Sequence, residues 1–156
     1  VDDRVLFWAD RVNLETAQLL MSEMAEGRAL GESIPHLAER VEKVFKFNDS
    51  VRAERIARTE TLAAANAGHL EIYRQSGVVD KKIWLTARDE RVRPEHAAAE
   101  RQIVALEAPF LVGGEELEAP GIGGSAANVI NCRCVAAPII EGRRALPAPT
   151  VQGNHG

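Results

Sequence analysis

The residues best suited to chemistry lie in a short segment near the end of the chain, at positions 129–134, which holds both cysteines. Cys132 and Cys134 are separated by one residue, and a disulfide between cysteines so close would require a strained ring. Their thiolates are better placed to bind one metal ion, and His96 lies well before them in the chain. Two cysteines and a histidine form a chemically sensible zinc site, with Asp89 or a water molecule as the fourth ligand.

The same residues also have an interpretation in which no metal is bound. Buried free cysteines behave as small hydrophobic residues, and a buried histidine is then hydrogen-bonded. The C-x-C spacing departs from the C-x₂₋₄-C pairs of common zinc sites, which favours this simpler interpretation. A metal would nevertheless supply folding free energy to a region with short strands and few large apolar side chains. The sequence leaves both interpretations open.

Charged residues surround His96 in the segment that precedes it. Asp89, Arg91 and Arg93 next to a histidine suit phosphoryl or nucleic acid chemistry. A hydrogen-bond network between the aspartate and the arginines, which fixes a loop, is the interpretation that we favour. No Ser-His-Asp or paired-carboxylate arrangement stands out in the sequence, so we expect a protein that is not an enzyme.

A row of arginines follows one side of the longest predicted helix: Arg52, Arg55 and Arg58. Such a row can contact DNA phosphates, but Glu54 and Glu60 lie between the arginines at helical spacing. A solvated helical face with internal ion pairs is therefore the more ordinary explanation. Within this row we expect Arg58, Thr59 and Glu60 to dock the two halves of the chain, with Arg58 and Glu60 as buried charged groups.

Length and composition limit the class of protein. A chain of 156 residues with 46% apolar and 27% charged residues is long enough for one domain with a real core. The net charge of −4 gives no general argument for nucleic acid binding. No apolar run approaches the roughly 20 residues of a membrane span, and no signal peptide is visible. Two cysteines without secretory marks indicate a reducing compartment. Because the chain begins at Val1, we expect a fragment or a processed product.

Hydrophobic periodicity predicts three helices in the N-terminal half, over residues 4–25, 33–48 and 49–76. Ser33 is a suitable N-cap for the second helix, and Gly77 is a natural terminator of the third. The first helix is expected to break near Gly27.

Short elements follow Gly77. The sequence predicts a strand over 82–86, a short helix over 96–101, and further strands over 103–106, 110–112 and 134–140. The glycine-rich segment 120–125 lacks the Lys-Ser/Thr ending of a phosphate-binding loop, and we interpret it as a mobile loop.

The predicted fold class is α+β, with a helical N-terminal half followed by a small loop-rich α/β unit with short strands. We expect one domain over residues 1–144, divided into a helical half, 1–77, and a small unit, 78–144. The proline- and glycine-containing tail at 145–156 is expected to be flexible.

Four motifs in this order resemble the phage head morphogenesis family, also called phage Mu protein F-like or minor head proteins. They are ARTET at 57–61, WLT at 84–86, the run from Asp89 to His96, and INCRC at 130–134. The resemblance extends from about residue 27 to residue 138. Each motif is weak alone, but their order and spacing make the combination specific.

The resemblance implies a minor structural protein of a tailed phage or prophage, which acts in head assembly and not in turnover. Its expected partners are the portal or other head proteins, and in some cases phage DNA. Its expected location is the capsid interior of the virion, and the host cytoplasm during assembly. The motif residues are then expected to stabilise the structure: Arg58, Thr59, Glu60, Trp84, Arg91, Arg93 and Asn131.

The alternative is an enzyme, a metal-dependent nuclease or toxin-like domain. In that case His96, Asp89 and the neighbouring arginines would act on phosphodiesters.

Overall fold

The computed structural model describes residues 14–45 and 50–140, and its first part consists of three helices. Helix α1 is Leu14–Ala29, α2 is Ile34–Phe45 and α3 is Ser50–Ser76. These helices agree with the periodicity in the sequence. The predicted start of the first helix and the tail at 145–156 lie outside the described residues.

Helix α1 continues through Gly27, so the predicted break at this position is wrong. A Cβ atom at Gly27 would lie 2.5 Å from a methyl carbon of Leu37 in α2. The glycine therefore permits α1 and α2 to pack closely. The helix ends before Gly31, whose φ of +70° is a conformation that glycine adopts without steric cost.

The helices enclose the first of two hydrophobic cores. Helix α2 presents an apolar stripe to its neighbours because its hydrophobic residues recur every three or four positions. The buried members of this helical core come from all three helices: Leu20, Met24, Leu37, Ala38, Val41, Val44, Ala53, Ile56 and Ala57.

The rest of the chain forms short strands and two short helices. The elements are β1 Lys81–Leu85, α4 Pro94–Ala98, β2 Ile103–Ala105, β3 Phe110–Val112, β4 Glu115–Leu117, α5 Ala126–Val129 and β5 Val135–Ile139. Strands β2, β1 and β5 form an antiparallel sheet in that order, and β3 pairs with β4 as a hairpin. The expected α+β class is confirmed.

Two elements were not predicted, β4 and α5. The β4 segment is short and carries two glutamates, so it lacks the apolar alternation of a strand. The structure forms it because Gly113 and Gly114 both have positive φ, +58° and +82°. Two consecutive residues of positive φ give the tight turn that suits a two-residue hairpin.

A second hydrophobic core lies between the C-terminal part of α3 and the small unit. Trp84 and Phe110 are fully buried at its centre, with their rings edge to face at 5.3 Å between centroids. Leu70 of α3 joins them. Helix α3, 27 residues long, therefore contributes to both cores and connects the two halves.

The start of the glycine-rich segment is packed and not exposed, contrary to the loose loop that we predicted there. Pro120 and Gly121 are buried, and a Cβ atom at Gly121 would lie 3.4 Å from Ala63 of α3. Because φ of Gly121 is +79°, other residues would be strained at this position. Within residues 14–45 and 50–140, no helix is both long enough and apolar enough to cross a membrane.

Candidate metal centre

The segment between α5 and β5, residues 130–134, forms a tight hook that carries both cysteines. The chain reverses at Asn131, whose φ of +55° is tolerated by asparagine better than by most residues. The N–H of Asn131 donates to the Thr59 hydroxyl at 2.9 Å. Ile130 packs against the helical core. The hook is therefore attached to α3 on one side and leads into the sheet on the other.

His96 reaches the hook from α4. Pro94 begins this helix, where its missing N–H costs nothing. The His96 ring is only 2% exposed and lies edge-on to the Trp84 indole, with 5.5 Å between centroids. Because Trp84 is paired with Ala136 across the sheet, His96 faces the end of β5 where the cysteines lie.

The structure brings the three candidate ligands together. Nδ1 of His96 lies 3.7 Å from Sγ of Cys132 and 3.5 Å from Sγ of Cys134. All three side chains are buried, and their donor atoms lie within 4.8 Å of one another. This confirms the expectation that β5 packs beside β1 and that His96 approaches the cysteines, which are close enough to hold a metal ion.

The spacing of the donor atoms fits tetrahedral zinc. Zinc bonds of about 2.0–2.1 Å to nitrogen and about 2.3 Å to sulfur, at tetrahedral angles, separate the two ligand atoms by roughly 3.6 Å. The two observed nitrogen–sulfur distances, 3.5 and 3.7 Å, lie on either side of this value. Hydrogen bonds between a thiol and an imidazole have similar lengths, so the same geometry also accommodates the metal-free arrangement.

The two thiols differ in their affinity for a proton. The thiol of Cys134 lowers the pKa of Cys132 to about 5, and His96 acts in the same direction against the effect of burial. The pKa of Cys134 is raised, first by its contact with Cys132 and then by burial. A divalent cation would neutralise two thiolates, and thiolate is the form that binds metals.

The outer nitrogen of the histidine is unusual for a metal ligand. Ligating histidines normally donate their second N–H to a hydrogen-bond acceptor. Nε2 of His96 is buried and has no hydrogen-bond partner among residues 14–45 and 50–140. The cluster therefore offers three suitable ligand atoms, but within the described residues it lacks the hydrogen bond that usually orients a ligating imidazole.

Asp89 lies outside the cluster. Its two carboxylate oxygens accept hydrogen bonds from the Arg133 guanidinium, one of them at 2.7 Å, and it also accepts the N–H of Arg91 at 3.0 Å. Arg133 is the main cause of the lowered pKa of Asp89. The structure therefore gives Asp89 a different partner from the metal that we expected. The Asp–Arg network exists, but its arginine is Arg133, between the cysteines.

A comparison with protein families identifies the group to which these motifs belong. The model of the phage Mu protein F-like family matches residues 18–137. The chain belongs to this family. All four motifs that carried the resemblance lie within the matched residues.

Two relatives of this chain are each 25% identical to it over 142 residues. One is an NAD(+)–arginine ADP-ribosyltransferase, EFV, of Enterococcus faecalis, matched over 89% of this chain and 28% of that protein. The other is the uncharacterized protein YqbB of Bacillus subtilis, matched over 86% of this chain and 46% of that protein. The chain thus spans less than half the length of these relatives. No solved structure matches it.

The ARTET motif contacts the hook through its threonine. Thr59 is buried, donates to the carbonyl of Arg55 at 2.8 Å and accepts the hydrogen bond from the hook. Arg58 is instead 54% exposed and pairs with Glu54 one turn earlier. Glu60 is half-buried. The expected burial of Arg58 is therefore wrong, and the Thr59 hydroxyl is the group of this motif that bonds to the hook.

The arginines after β1 have separate positions. Arg93 is half-buried and donates from its guanidinium to the carbonyl of Ile130 in the hook. Arg91 is exposed at the surface beside it. The Arg93 contact fits the structural role that we expected, whereas the Arg91 side chain is exposed.

Asn66 is a docking residue that sequence analysis missed. Its amide donates to the carbonyls of Pro120 at 3.0 Å and Cys134 at 3.3 Å, and its carbonyl accepts the N–H of Ala136 at 3.1 Å. The side chain is fully buried. A usable signal existed in the sequence, since Asn66 interrupts the apolar stripe of α3 at a core-facing position.

A groove runs between α3 and the hook, next to the cluster. It has a volume of about 820 Å³. Cys132 is one of the residues that line the groove, so the groove lies next to the cluster. Five arginines line it, against one carboxylate, Glu54: Arg55, Arg58, Arg91, Arg93 and Arg133.

Proposed function

We propose that this chain is a non-enzymatic assembly component of the head of a tailed phage or prophage, associated with the portal on the inside of the capsid. Family membership over residues 18–137 supports this proposal. The docking of both halves through buried polar contacts suits a rigid structural part. The protein would be present in the host cytoplasm during assembly and in the virion afterwards.

The assembly role is tested by co-expression of the full chain with the portal and major head proteins of its source phage. We expect the chain to sediment with portal-containing particles and to be present inside purified heads. Heads that assemble with normal composition and infectivity in its absence, and that never incorporate it, would contradict the proposal.

We also propose that His96, Cys132 and Cys134 hold a structural zinc ion. The observation that carries this proposal is the pair of nitrogen–sulfur distances, which match tetrahedral zinc. The burial of all three side chains supports a structural role, because a catalytic zinc keeps a coordination position open to substrate. A water molecule is the remaining candidate for the fourth ligand, since Asp89 is engaged by Arg133.

Metal content and spectroscopy test the zinc site. We expect one zinc per chain by elemental analysis, and intense visible absorption with sulfur-to-cobalt charge transfer when Co²⁺ replaces it. Cys132→Ser and His96→Ala should lose the metal and lower the thermal midpoint. His69→Ala is the matched control, because His69 is exposed on α3. Metal-free protein whose midpoint is insensitive to added zinc would support the pair of buried thiols instead.

A metal-dependent nuclease is the second candidate, and the position of Cys132 on the floor of an arginine-rich groove favours it. A metal there would face phosphate-binding side chains. Purified protein with Zn²⁺, Mg²⁺ or Mn²⁺ should leave single- and double-stranded DNA and RNA intact under our proposal. Cleavage that is lost in a folded His96→Ala variant would establish the nuclease. The transferase among the relatives is matched over 28% of its length, and we propose no transferase activity for this chain.

A further inference from the structure

We propose that the groove between α3 and the hook is a docking surface for an acidic segment of another polypeptide, whose carboxylates are flanked by apolar side chains. The inference rests on the proposed assembly role and specifies the surface and the chemistry of the partner. It is carried by the geometry of α3, by the charge of the groove and by the apolar residues at its margin.

One continuous face of α3 lines the groove. The residues that contribute are Val51, Glu54, Arg55, Arg58, Thr61, Leu62 and Ala65. They recur every three or four positions over about four helical turns, which places them on a single side of the helix. Apart from Leu62, which also packs against the second core, the positions of α3 in the two cores are others. This face is therefore left open while the remainder of the helix is packed.

Three of the five arginines of the groove are held in place by their own contacts. Arg58 is paired with Glu54, Arg133 with Asp89, and Arg93 with the carbonyl of Ile130. Arg55 and Arg91 form no side-chain hydrogen bond within the described residues. These two guanidinium groups come from opposite walls of the groove. Each offers a planar fork that binds a carboxylate through two parallel hydrogen bonds.

Apolar side chains border the charged centre. Val51 is 67% exposed at one end, Ile34 of α2 lies beside it, and Leu62 with Ala65 lie toward the other end. Arginine is enriched in protein–protein interfaces relative to the rest of the surface, whereas lysine and glutamate are depleted there. A partner with acidic residues at its centre and apolar residues on both sides complements this distribution.

The same distribution disfavours nucleic acid. DNA-binding interfaces are more polar than protein–protein interfaces, whereas aliphatic side chains are among the residues that line this groove. Single-stranded nucleic acid is held by aromatic side chains that stack on the bases. No aromatic residue of the described chain lines the groove.

A binding assay with the full chain tests the surface. The probe is a fluorescein-labelled synthetic peptide with leucine and glutamate at helical spacing. Its binding to the chain is measured by fluorescence anisotropy. We expect the double variant Arg55→Glu/Arg91→Glu to bind at least tenfold more weakly. Lys43→Glu is the matched control, because Lys43 is an exposed cation on α2 outside the groove, and its binding should match wild type. Circular dichroism and thermal midpoints verify that each variant is folded.

Three further probes decide the chemistry. A polyglutamate peptide without leucine should bind more weakly than the mixed peptide, and a leucine–lysine peptide should not bind. Wild type and the groove variants should bind single- and double-stranded oligonucleotides equally, if they bind them at all. An oligonucleotide that binds more tightly than the peptide, and whose binding is lost in the double variant, would overturn the proposal in favour of a nucleic acid groove. Equal peptide binding by wild type and double variant would also overturn it.

Particle assembly separates this inference from the assembly role itself. If wild type and the double variant enter heads equally well, the docking surface is wrong and the assembly role stands. If neither enters heads although the peptide binds in the groove, the assembly role is wrong and the docking surface stands. Loss of incorporation in the folded double variant alone supports both.

Discussion

At the scale of single residues, two buried polar side chains on α3 fasten the two halves together. The Thr59 hydroxyl accepts the N–H of Asn131 in the hook. The Asn66 side chain accepts the N–H of Ala136 in β5 and donates to the carbonyl of Pro120. Asn66 satisfies backbone groups that would otherwise be buried without partners. An unsatisfied buried group costs far more than a surface ion pair contributes. The exposed ion pair between Arg58 and Glu54 therefore contributes less to stability than the buried hydrogen bonds do.

Asn66→Ala should lower the free energy of unfolding by about 1–3 kcal/mol, because it leaves buried backbone groups unsatisfied. The measurement is urea denaturation followed by circular dichroism. Gln75→Ala serves as the control, since Gln75 is exposed on the same helix and bonds to Glu71 one turn away. A midpoint for Asn66→Ala equal to that of the control would refute the docking role.

The carboxylate of Glu115 predicts a dependence on pH. The N–H of Ser125 and then the amide of Asn128 hold its pKa below the usual value of 4.5. A lowered pKa in the folded state stabilises the protein fully above the unfolded value, and this stabilisation is lost as the pH falls through the folded value.

We therefore expect Glu115→Gln to be less stable than wild type at pH 7, with the difference shrinking as the pH falls below about 4.5. Urea midpoints at a series of pH values between about 7 and about 3 measure this. Glu116→Gln, at the exposed neighbouring position, should change little at any pH. A difference for Glu115→Gln that grows toward low pH would contradict the interpretation.

At the scale of elements, close helix contacts are fixed by glycine, and the two helical glycines differ. Gly27 lies where α1 meets α2, and a Cβ atom there would have side-chain atoms of Leu37 and Glu32 within 2.8 Å. Gly68 lies in α3, and a Cβ there meets nothing within 4 Å. The same residue type therefore has a packing function in one helix and none in the other.

Alanine substitutions should consequently act in opposite directions. Gly27→Ala should destabilise the protein by about 1–3 kcal/mol, because the added methyl group overpacks the contact between α1 and α2. Gly68→Ala should stabilise it by up to about 1 kcal/mol, because alanine has the higher helix propensity at an open position. Thermal midpoints of the two variants, measured side by side, test the pair. Equal shifts of the same sign would show that neighbouring packing does not distinguish them.

At the scale of the whole molecule, the long helix α3 connects two hydrophobic cores that differ in the elements around them. The helical core is continuous along three helices, whereas the second core is surrounded by three- to five-residue strands and loops. Short strands bury little surface on their own, and so a structural metal has its largest effect there.

Removal of zinc with a chelator should therefore loosen the small unit first. In hydrogen exchange, we expect amides of β1 and β5 to lose protection while those of α1 and α2 keep theirs. Cys134→Ser without chelator should reproduce this pattern, and the Gln75→Ala protein treated with chelator should behave as wild type does. Uniform loss of protection over the whole chain would indicate that the cluster does not act locally.

The sequence by itself determined that three long helices come first, and it determined the fold class and the family. These follow from local patterns, since the apolar repeat of α2 and α3 and the paired cysteines are visible within a few positions. It also suggested that His96 belongs with the cysteines, because few residue types bind soft metals.

Only the tertiary structure decided which polar groups meet. The partners of Thr59 and Asn66 lie about seventy positions away, and the interruption of the apolar stripe at Asn66 does not indicate which groups it bonds. The pairing of Asp89 with Arg133, and the groove beside it, depend in the same way on how the hook returns to α3. Burial and long-range hydrogen bonding are properties of the packed molecule, so the docking residues and the groove appear only when the chain is folded.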